Sequence, residues 1–383
     1  MSKKKNNPIF ILAGEASGDM YGALLAERIK TLCKDCELYG MGGSHMYNAG
    51  VKTLADPTKI AVIGLWEVLK HFGEFKHIFD TMLKYILDLQ PKVIVLIDYP
   101  GFNLRLARKI KQIAPHINIV YYISPQLWAW GKRRIKLIKK YIDKMLVIFP
   151  FEEDFYHRHG IERVVFVGHP LKEALENFVS TESDDGNFII SKNKKRIVLL
   201  PGSREREVVR HLPVFLKAVK LMNQDRFQFV IHKAQTVQSY VYREILDRQI
   251  LDIPLIERPL HLRSFRAASF AWVASGTATV ETAFYGLPMI VVYKISPISY
   301  FLLKNMVKIR WISMVNIILQ EEVVPELIQQ RFTPNNLALT THQILSDNTK
   351  LRYISRKFAE LNSLLYKKNA SSEAANEILK FVS

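Results

Sequence analysis

The sequence predicts an α/β protein built as two doubly wound parallel-sheet halves joined by a linker. Three observations carry this. Short β-branched runs alternate with helical patterns along the chain, as strand–helix–strand units of a parallel sheet do. A polar, charged and irregular stretch, residues 176–195 (ENFVSTESDDGNFIISKNKK), interrupts that pattern near the middle, as linkers do. The 383 residues are also enough for two domains of ordinary size, each with its own core. Two such halves, facing each other, place a ligand in the cleft between them, with binding groups drawn from the carboxyl ends of the strands.

The elements follow in order. Residues 9–13 (IFILA) read as a strand, and Tyr21, Leu25, Ile29 and Leu32 then recur at spacings of 4, 4 and 3, one face of a helix. Residues 93–97 (VIVLI) form a strand buried on both faces, ending at Asp98, and Leu106, Ile110 and Ile113 mark the next helix. Further strands are predicted at 119–123, 145–149 and 164–167. After the linker the pattern restarts at 197–200 (IVLL), with strands near 227–232, 271–274 and 289–293, and the last 35 residues read as helix. The predicted domains are 1–178 and 190–349, with a terminal segment 350–383 that packs back on the first domain or on a partner chain.

Apolar residues make up 49% and charged residues 23%, a globular composition. Fifty-four Lys plus Arg against 36 Asp plus Glu give +18. Such an excess suits an anionic partner (nucleic acid, a membrane surface or a phosphorylated substrate), unless it reflects only a Lys-rich, soluble surface. The longest apolar runs, such as 145–151 (MLVIFPF), fall well short of the roughly 18 residues a membrane span needs. The N-terminus has a basic start but no apolar stretch or cleavage site of a signal peptide before Glu15, so the chain reads as cytosolic. Cys33 and Cys36 are the only cysteines. Without a second pair they do not suggest zinc, and in a reducing compartment they are expected as free thiols.

Three sites share one design, a strand, a turn of small residues and a helix start: Gly14–Asp19, Pro201-Gly202-Ser203 leading to Arg204, and Ser275-Gly276-Thr277 leading to Glu281. N–H groups at a helix start bind phosphate oxygens, although each turn taken singly is also explained by loop geometry. Neither GxGxxG nor GxxxxGK[ST] occurs, which argues against a nicotinamide enzyme or a P-loop ATPase. Glu281 is placed either to accept ribose hydroxyls or to face solvent. Asp98, followed by Tyr99-Pro100-Gly101-Phe102-Asn103, is either a general base for a hydroxyl nucleophile or a helix N-cap or fold-stabilising acid. Ser183-Asp184-Asp185 reads as a solvated loop, and no His/Asp/Glu cluster has metal-ligand spacing, so neither metal nor cofactor is expected.

Val62, Leu65, Trp66, Leu69 and Phe72 form an apolar stripe beside Lys70 and His71, and residues 298–312 mix large aromatics with Lys304, Lys308 and Arg310. Such helices either lie in a lipid interface or face a core. Residues 132–144 (KRRIKLIKKYIDK), with Ile135, Ile138 and Ile142 on one face, form either a solvated helix or a footprint for anionic lipid.

Seven blocks in order, AGEASGD (13–19), IDYPGFN (97–103), YYISPQLWAWG (121–131), LVIFPFE (146–152), VGHP (167–170), LLPGSREREV (199–208) and ASGTATVE (274–281), span nearly the whole chain. Together they closely resemble the lipid A disaccharide synthase family, inverting glycosyltransferases of the GT-B fold. One departure is Val315, where the family usually carries Pro before the Asn at position 316. The resemblance implies transfer of 2,3-diacylglucosamine from its UDP conjugate to 2,3-diacylglucosamine 1-phosphate, giving the β-1,6-linked disaccharide 1-phosphate and UDP. It implies that the C-terminal half holds UDP, with Ser275, Gly276 and Thr277 and the Gly202-Ser203 turn near the diphosphate and Glu281 on the ribose. Arg204 then offsets charge on the leaving group, Asn316 orients donor groups, and Asp98 deprotonates the acceptor 6-hydroxyl. Glu15 and Ser17 line the acceptor side, and the 62–72 stripe takes acyl chains or membrane. A homodimer at the cytoplasmic face of the inner membrane is implied as well. Two rivals remain in view: another UDP-sugar enzyme of the same architecture, such as a UDP-GlcNAc 2-epimerase or a soluble-acceptor glycosyltransferase, and a non-catalytic basic membrane protein. Nucleic acid is not expected, since no recognised binding module is present.

Overall fold

The computed structural model describes residues 7–57, 72–129, 131–179, 194–257, 261–296, 310–366 and 369–382. The chain divides into two compact units, Met1–Glu176 with Leu365–Ser383, and Asn177–Leu364.

The first unit is built on a seven-stranded sheet in the order β3-β2-β1-β4-β5-β6-β7. Its strands are β1 (Asn7–Ala13), β2 (Cys36–Met41), β3 (Lys52–Ala55), β4 (Val93–Ile97), β5 (Asn118–Tyr122), β6 (Lys144–Val147) and β7 (Val164–Phe166). All neighbours run parallel, with Ile9 opposite Val93 and Val93 opposite Asn118. The helices between them are α1 (Ala16–Leu32), α2 (Ser44–Asn48), α3 (Phe72–Leu89), α4 (Pro100–Ile113), α5 (Ile135–Tyr141), α6 (Pro150–His157) and α7 (Leu171–Val179). Every residue of β4 is buried, so a run without polar alternation becomes a central strand covered on both faces. In α4, Leu106 and Ile110 are fully buried, while Ile113 at the helix end is exposed.

The second unit carries a six-stranded sheet in the order β10-β9-β8-β11-β12-β13. These strands are β8 (Lys195–Leu200), β9 (Phe227–His232), β10 (Leu255–Ile256), β11 (Phe270–Ala274), β12 (Met289–Tyr293) and β13 (Glu326–Ile328), again parallel throughout. Its helices are α8 (Glu205–Leu221), α9 (Ser239–Gln249), α10 (His261–Arg266), α11 (Thr277–Phe284), α12 (Met314–Leu319), α13 (Pro334–Ser346) and α14 (Asn348–Leu365). The chain then returns to the first unit, where α15 (Ala370–Leu379) packs on α1. Lys92 Nζ donates to the Val382 carbonyl at 2.5 Å, the Ser371 N–H to Glu173 at 3.0 Å, and Lys144 pairs with Glu377 at 3.3 Å.

In each sheet the strand order reverses once, between β1 and β4 and between β8 and β11. At such a point the flanking loops leave in opposite directions and open a crevice at the carboxyl ends. The predicted small-residue turns follow β1, β8 and β11, and Asp98 follows β4. Each crevice therefore receives two of the sequence motifs.

The cysteines differ from expectation. Cys33, which caps α1, and Cys36, which opens β2, are joined in a disulfide across a Cα–Cα distance of 5.4 Å. The turn from helix to strand puts the two side chains within bonding reach, a consequence of tertiary direction that residue spacing does not show.

Candidate active site

In the first unit the site is organised by the backbone. Asp98 and Tyr99 have φ of 44° and 47°, two consecutive non-glycine residues in the left-handed region. Each such residue costs on the order of 1–3 kcal/mol and persists only where its surroundings hold it. Here the Asp98 carbonyl accepts the Tyr121 hydroxyl at 2.5 Å and Asn103 Nδ2 at 2.7 Å, and Asn103 also reaches the Ile97 carbonyl at 3.2 Å. The Asp98 N–H donates to the Tyr122 carbonyl at 3.2 Å. Tyr99 is the N-cap of α4 and Pro100 fills the first turn, where its missing N–H costs nothing. Asp98 therefore does not cap that helix, and the N-cap alternative falls away. The Tyr99 ring lies over Gly14, where an added Cβ would sit 2.2 Å from Tyr99 Cδ1. The glycine of the β1 turn is thus a packing requirement of the β4 turn.

Burial, together with the Glu15 carboxylate, pushes the Tyr99 hydroxyl up to about 12. Tyr121 is likewise pushed up by burial and by the Asp98 charge. Glu15 and Asp98 thus both bear on the pair of tyrosines at this crevice. Glu15 precedes α1 without making a side-chain cap, and Ser17 lies half-buried in the first turn of α1. Sequence reasoning missed the role of Asp19. Buried on α1, its carboxylate accepts the N–H groups of Gly43 (2.8 Å), His45 (3.0 Å) and Met46 (3.0 Å). It clamps the loop after β2 to the helix after β1.

A second buried acid sits at the ends of β5 and β6. Glu152 accepts the Phe149 N–H at 3.2 Å and Trp128 Nε1 at 3.3 Å, and burial pushes its carboxyl up to about 8. Trp128 packs edge-on against Phe151 at 5.3 Å, so this acid supports an aromatic wall. Beside it, α5 turns Ile135, Ile138 and Tyr141 into the core and leaves Lys136, Lys139 and Lys140 exposed.

In the second unit, Pro201-Gly202-Ser203 leads from β8 into α8, but its donors are in use. The Glu207 carboxylate accepts the N–H groups of Ser203 (3.0 Å) and Arg204 (3.3 Å), and pairs with the exposed Arg204 guanidinium at 3.4 Å. Glu207, at the third helical position, thus covers the start of α8, and its own N–H returns to the Arg204 carbonyl at 2.9 Å. Behind the turn, His211 bridges the Pro201 carbonyl (2.7 Å) and the Lys294 N–H (3.0 Å), and burial holds its pKa down.

The turn after β11 is different. Gly276 has φ 145° with nothing near the position of a Cβ, and Gly276 and Thr277 are exposed at the start of α11. The first N–H groups of a helix have no partner within it. Ser275 Oγ donates to the Ile312 carbonyl at 2.7 Å, and Glu281 lies buried farther along α11. Asn316 is fully buried, and all four hydrogen-bonding positions of its amide are taken. Nδ2 donates to the Val324 carbonyl (2.8 Å) and Glu326 Oε1 (2.9 Å), and Oδ1 accepts the N–H groups of Val323 (2.9 Å) and Val324 (3.0 Å). The sequence reading had Asn316 orient donor groups itself. Its amide is instead spent inside the protein, bracing the segment behind Ser275. Val315 stands in the first turn of α12, after the Ser313 N-cap, where either Pro or Val fits without loss of a helical hydrogen bond.

Val62, Leu65, Trp66 and Leu69, the side chain of Phe72, and residues 298–309 lie outside the described residues. Among the described residues no His/Cys/Asp/Glu group could hold a metal ion, and no helix is long and apolar enough to cross a membrane.

Solved structures share this architecture. The UDP-GlcNAc 2-epimerase from Neisseria meningitidis bound to UDP-GlcNAc matches with a TM-score of 0.71 and 13% identity, over 97% of this chain and 100% of that one. Acinetobacter baumannii MurG matches with a TM-score of 0.55 and 13% identity, over 98% and 99%. At such identities the likeness establishes the fold, which is GT-B. Sequence relatives are nearer. The lipid-A-disaccharide synthase of Coxiella burnetii is 36% identical over 375 residues, 97% of this chain and 98% of that protein. That of Trichlorobacter lovleyi is 39% identical over 349 residues, 90% of each. The family model described as lipid-A-disaccharide synthetase matches residues 9–381. With the family model and these relatives spanning nearly the whole chain, the protein belongs to the lipid-A-disaccharide synthase family of glycosyltransferases.

Proposed function

We propose that this glycosyltransferase joins UDP-2,3-diacylglucosamine to 2,3-diacylglucosamine 1-phosphate, with inversion at the anomeric carbon and release of UDP. The observation that carries the reading is Asp98, half-buried at the strand-order reversal on a strained backbone that four neighbours hold in place. Asp98 takes the proton of the acceptor 6-hydroxyl as its oxygen attacks the anomeric carbon from the face opposite the UDP. The bond to the diphosphate oxygen breaks with its electron pair, and the charge grows on UDP. Arg204 and the exposed start of α11 at Gly276 and Thr277 offset that charge. Glu281 takes the ribose. Glu207 occupies the Ser203 and Arg204 N–H groups until the diphosphate arrives, and yields both them and the Arg204 guanidinium when it does. Glu15 and Ser17 contact the acceptor.

On the same reading the enzyme works as a homodimer at the cytoplasmic face of the inner membrane. The exposed Lys136, Lys139 and Lys140 support the approach to an anionic surface. The acyl chains lie along the stripe of Val62, Leu65, Trp66, Leu69 and Phe72.

The test is product analysis with the two acylated substrates and the Asp98→Asn variant. Turnover is expected to fall by ~10²–10⁴-fold, with UDP affinity by calorimetry unchanged. Near-normal turnover in a folded, UDP-binding variant removes Asp98 as the base.

A further inference from the structure

Glu326 opens β13 and is 7% exposed, yet it appears in none of the sequence motifs. Its carboxylate is surrounded by donors. Oε1 accepts the N–H groups of Ile312 (3.2 Å) and Ser313 (2.9 Å) and Asn316 Nδ2 (2.9 Å), and Oε2 accepts the Ile312 N–H at 2.9 Å. Burial pushes this carboxyl above the ordinary 4.5, and the donors of Ile312, Ser313 and Asn316 pull it back. A neutral carboxyl would have to turn an O–H toward N–H groups, so the geometry fits the ionised form. No cation pairs with it among the described residues. Among the described residues the charge is met by backbone and amide dipoles.

One peptide unit carries the effect outward. The Ile312–Ser313 peptide gives its N–H to Glu326 and its carbonyl oxygen to Ser275 Oγ. A carbonyl can only accept, so Ser275 spends its single hydroxyl proton on Ile312. Its oxygen then faces a ligand as an acceptor. A phosphate oxygen without a proton gains nothing from such a neighbour, whereas a sugar hydroxyl can donate to it. The ligand's own sequence agrees with the chain's: sugar, diphosphate and ribose run in the order of Ser275, the Gly276-Thr277 helix start, and Glu281 farther along α11.

We propose that Glu326, steadied by Asn316, is a positioning residue that acts through the Ile312–Ser313 peptide to orient Ser275, and that Ser275 thereby receives a hydroxyl of the transferred sugar and not the diphosphate. This rests on the reading that the donor binds at the turn after β11.

The experiment measures donor KM, kcat and product inhibition by UDP for Ser275→Ala, Glu326→Gln and the double variant, with thermal midpoints alongside. Each single change is expected to raise the KM for the UDP-sugar about tenfold, with kcat and the UDP inhibition constant nearly unchanged. The double variant is expected to be no worse than either single one, because both changes remove the same contact. Glu326→Asp, which keeps the charge and withdraws it by one methylene, is expected to move KM in the same direction but less, and serves if Glu326→Gln does not fold.

Three results overturn the proposal. One is an unaltered KM in folded Glu326→Gln or Glu326→Asp enzyme, and another is additive losses in the double variant. The third is a rise in the UDP inhibition constant that matches the rise in KM, which would put Ser275 on the nucleotide. Gly276→Asp separates these from failure of the underlying reading. A carboxylate added at the helix start weakens UDP if the diphosphate lies there, and an unchanged UDP constant removes the donor from this turn altogether.

Discussion

The turn after β4 and the turn after β11 occupy equivalent places, each at the strand-order reversal of its own sheet, but they are held in opposite ways. Asp98 is fixed largely by its own neighbourhood: Asn103 lies five residues on, Pro100 starts the next helix, and Tyr121 stands on the adjacent strand. Ser275 is fixed by Ile312, 37 residues away, and by the Asn316 and Glu326 side chains behind it. The first arrangement stores strain, with two left-handed residues in a row. The second stores none at Ser275 but buries a charge. A strained local turn gives a base one geometry whatever is bound. On the proposed reading, Ser275 is the donor-side counterpart, set by contacts from outside its own turn.

The largest expected effect breaks the packing that holds the Asp98 turn. In Gly14→Ala the new Cβ would lie 2.2 Å from the Tyr99 ring, which must swing and take the Asp98–Tyr99 backbone with it. A displacement of about 1 Å at a reacting group costs on the order of 100-fold. The kcat is therefore expected to fall about that far, with donor KM unchanged. An unchanged kcat would show that Tyr99 is not what places Asp98.

The next effect breaks the distant brace. Asn316→Ala strips a partner from the Val323 and Val324 N–H groups and from Glu326. Leaving such groups unpaired in the interior costs about 2 kcal/mol. Urea unfolding is expected to show that loss together with a raised donor KM. Asn103→Ala, by contrast, leaves the Tyr121 hydroxyl on the Asp98 carbonyl and is expected to cost about 1 kcal/mol, with its effect on kcat. If the two variants gave the same kinetic signature, the contrast between the turns would fail.

The same contrast explains what could be read from the sequence. Strands such as VIVLI, the three small-residue turns and most of each helix face are local patterns and stand where the periodicity put them, while Leu32 and Ile113, at the ends of their helices, are exposed. Asp98 could be singled out because a carboxylate after a buried strand is anomalous in itself. Its competing role as an N-cap could not be dismissed, because a one-residue shift of the helix start decides it, and Tyr99 takes that place. The Glu207 contacts to the Ser203 and Arg204 N–H groups were not legible, because no Ser/Thr-x-x-Glu pattern announces them at Arg204. Asp19, Glu326 and the inward use of Asn316 were not legible. Their partners lie seven to 27 residues away, and nothing local marks a side chain whose hydrogen bonds are all internal. Cys33 and Cys36 fall in the same class, since spacing alone left them as thiols.

The smallest expected effect concerns pH and sharpens the comparison by asking whether Glu152, the buried acid after β6, is neutral where Glu326 is charged. In the first unit Glu152 is pushed up to about 8 by burial, above its ordinary 4.5, and so is neutral when folded. A carboxyl whose folded pKa is raised makes the native state bind more protons than the unfolded chain. Its contribution is complete below pH 4.5 and is lost as pH rises through about 8. His169, pushed down to about 3 by burial, acts in the other direction, adding stability as pH rises from 3 to 6.5. The depressed His211 has the same sign as His169. Between pH 4.5 and 6.5 the slopes oppose each other, so the histidines mask the acid. Above 6.5 they are neutral in both states, and Glu152 acts without that opposition. The thermal midpoint is therefore expected to fall between pH 6.5 and 8 by the equivalent of on the order of 1 kcal/mol. Glu152→Gln, neutral at every pH and still able to accept the Phe149 N–H, is expected to flatten that fall. If the variant keeps the wild-type slope over this window, Glu152 is ionised in the folded protein and is held by its N–H donors as Glu326 is.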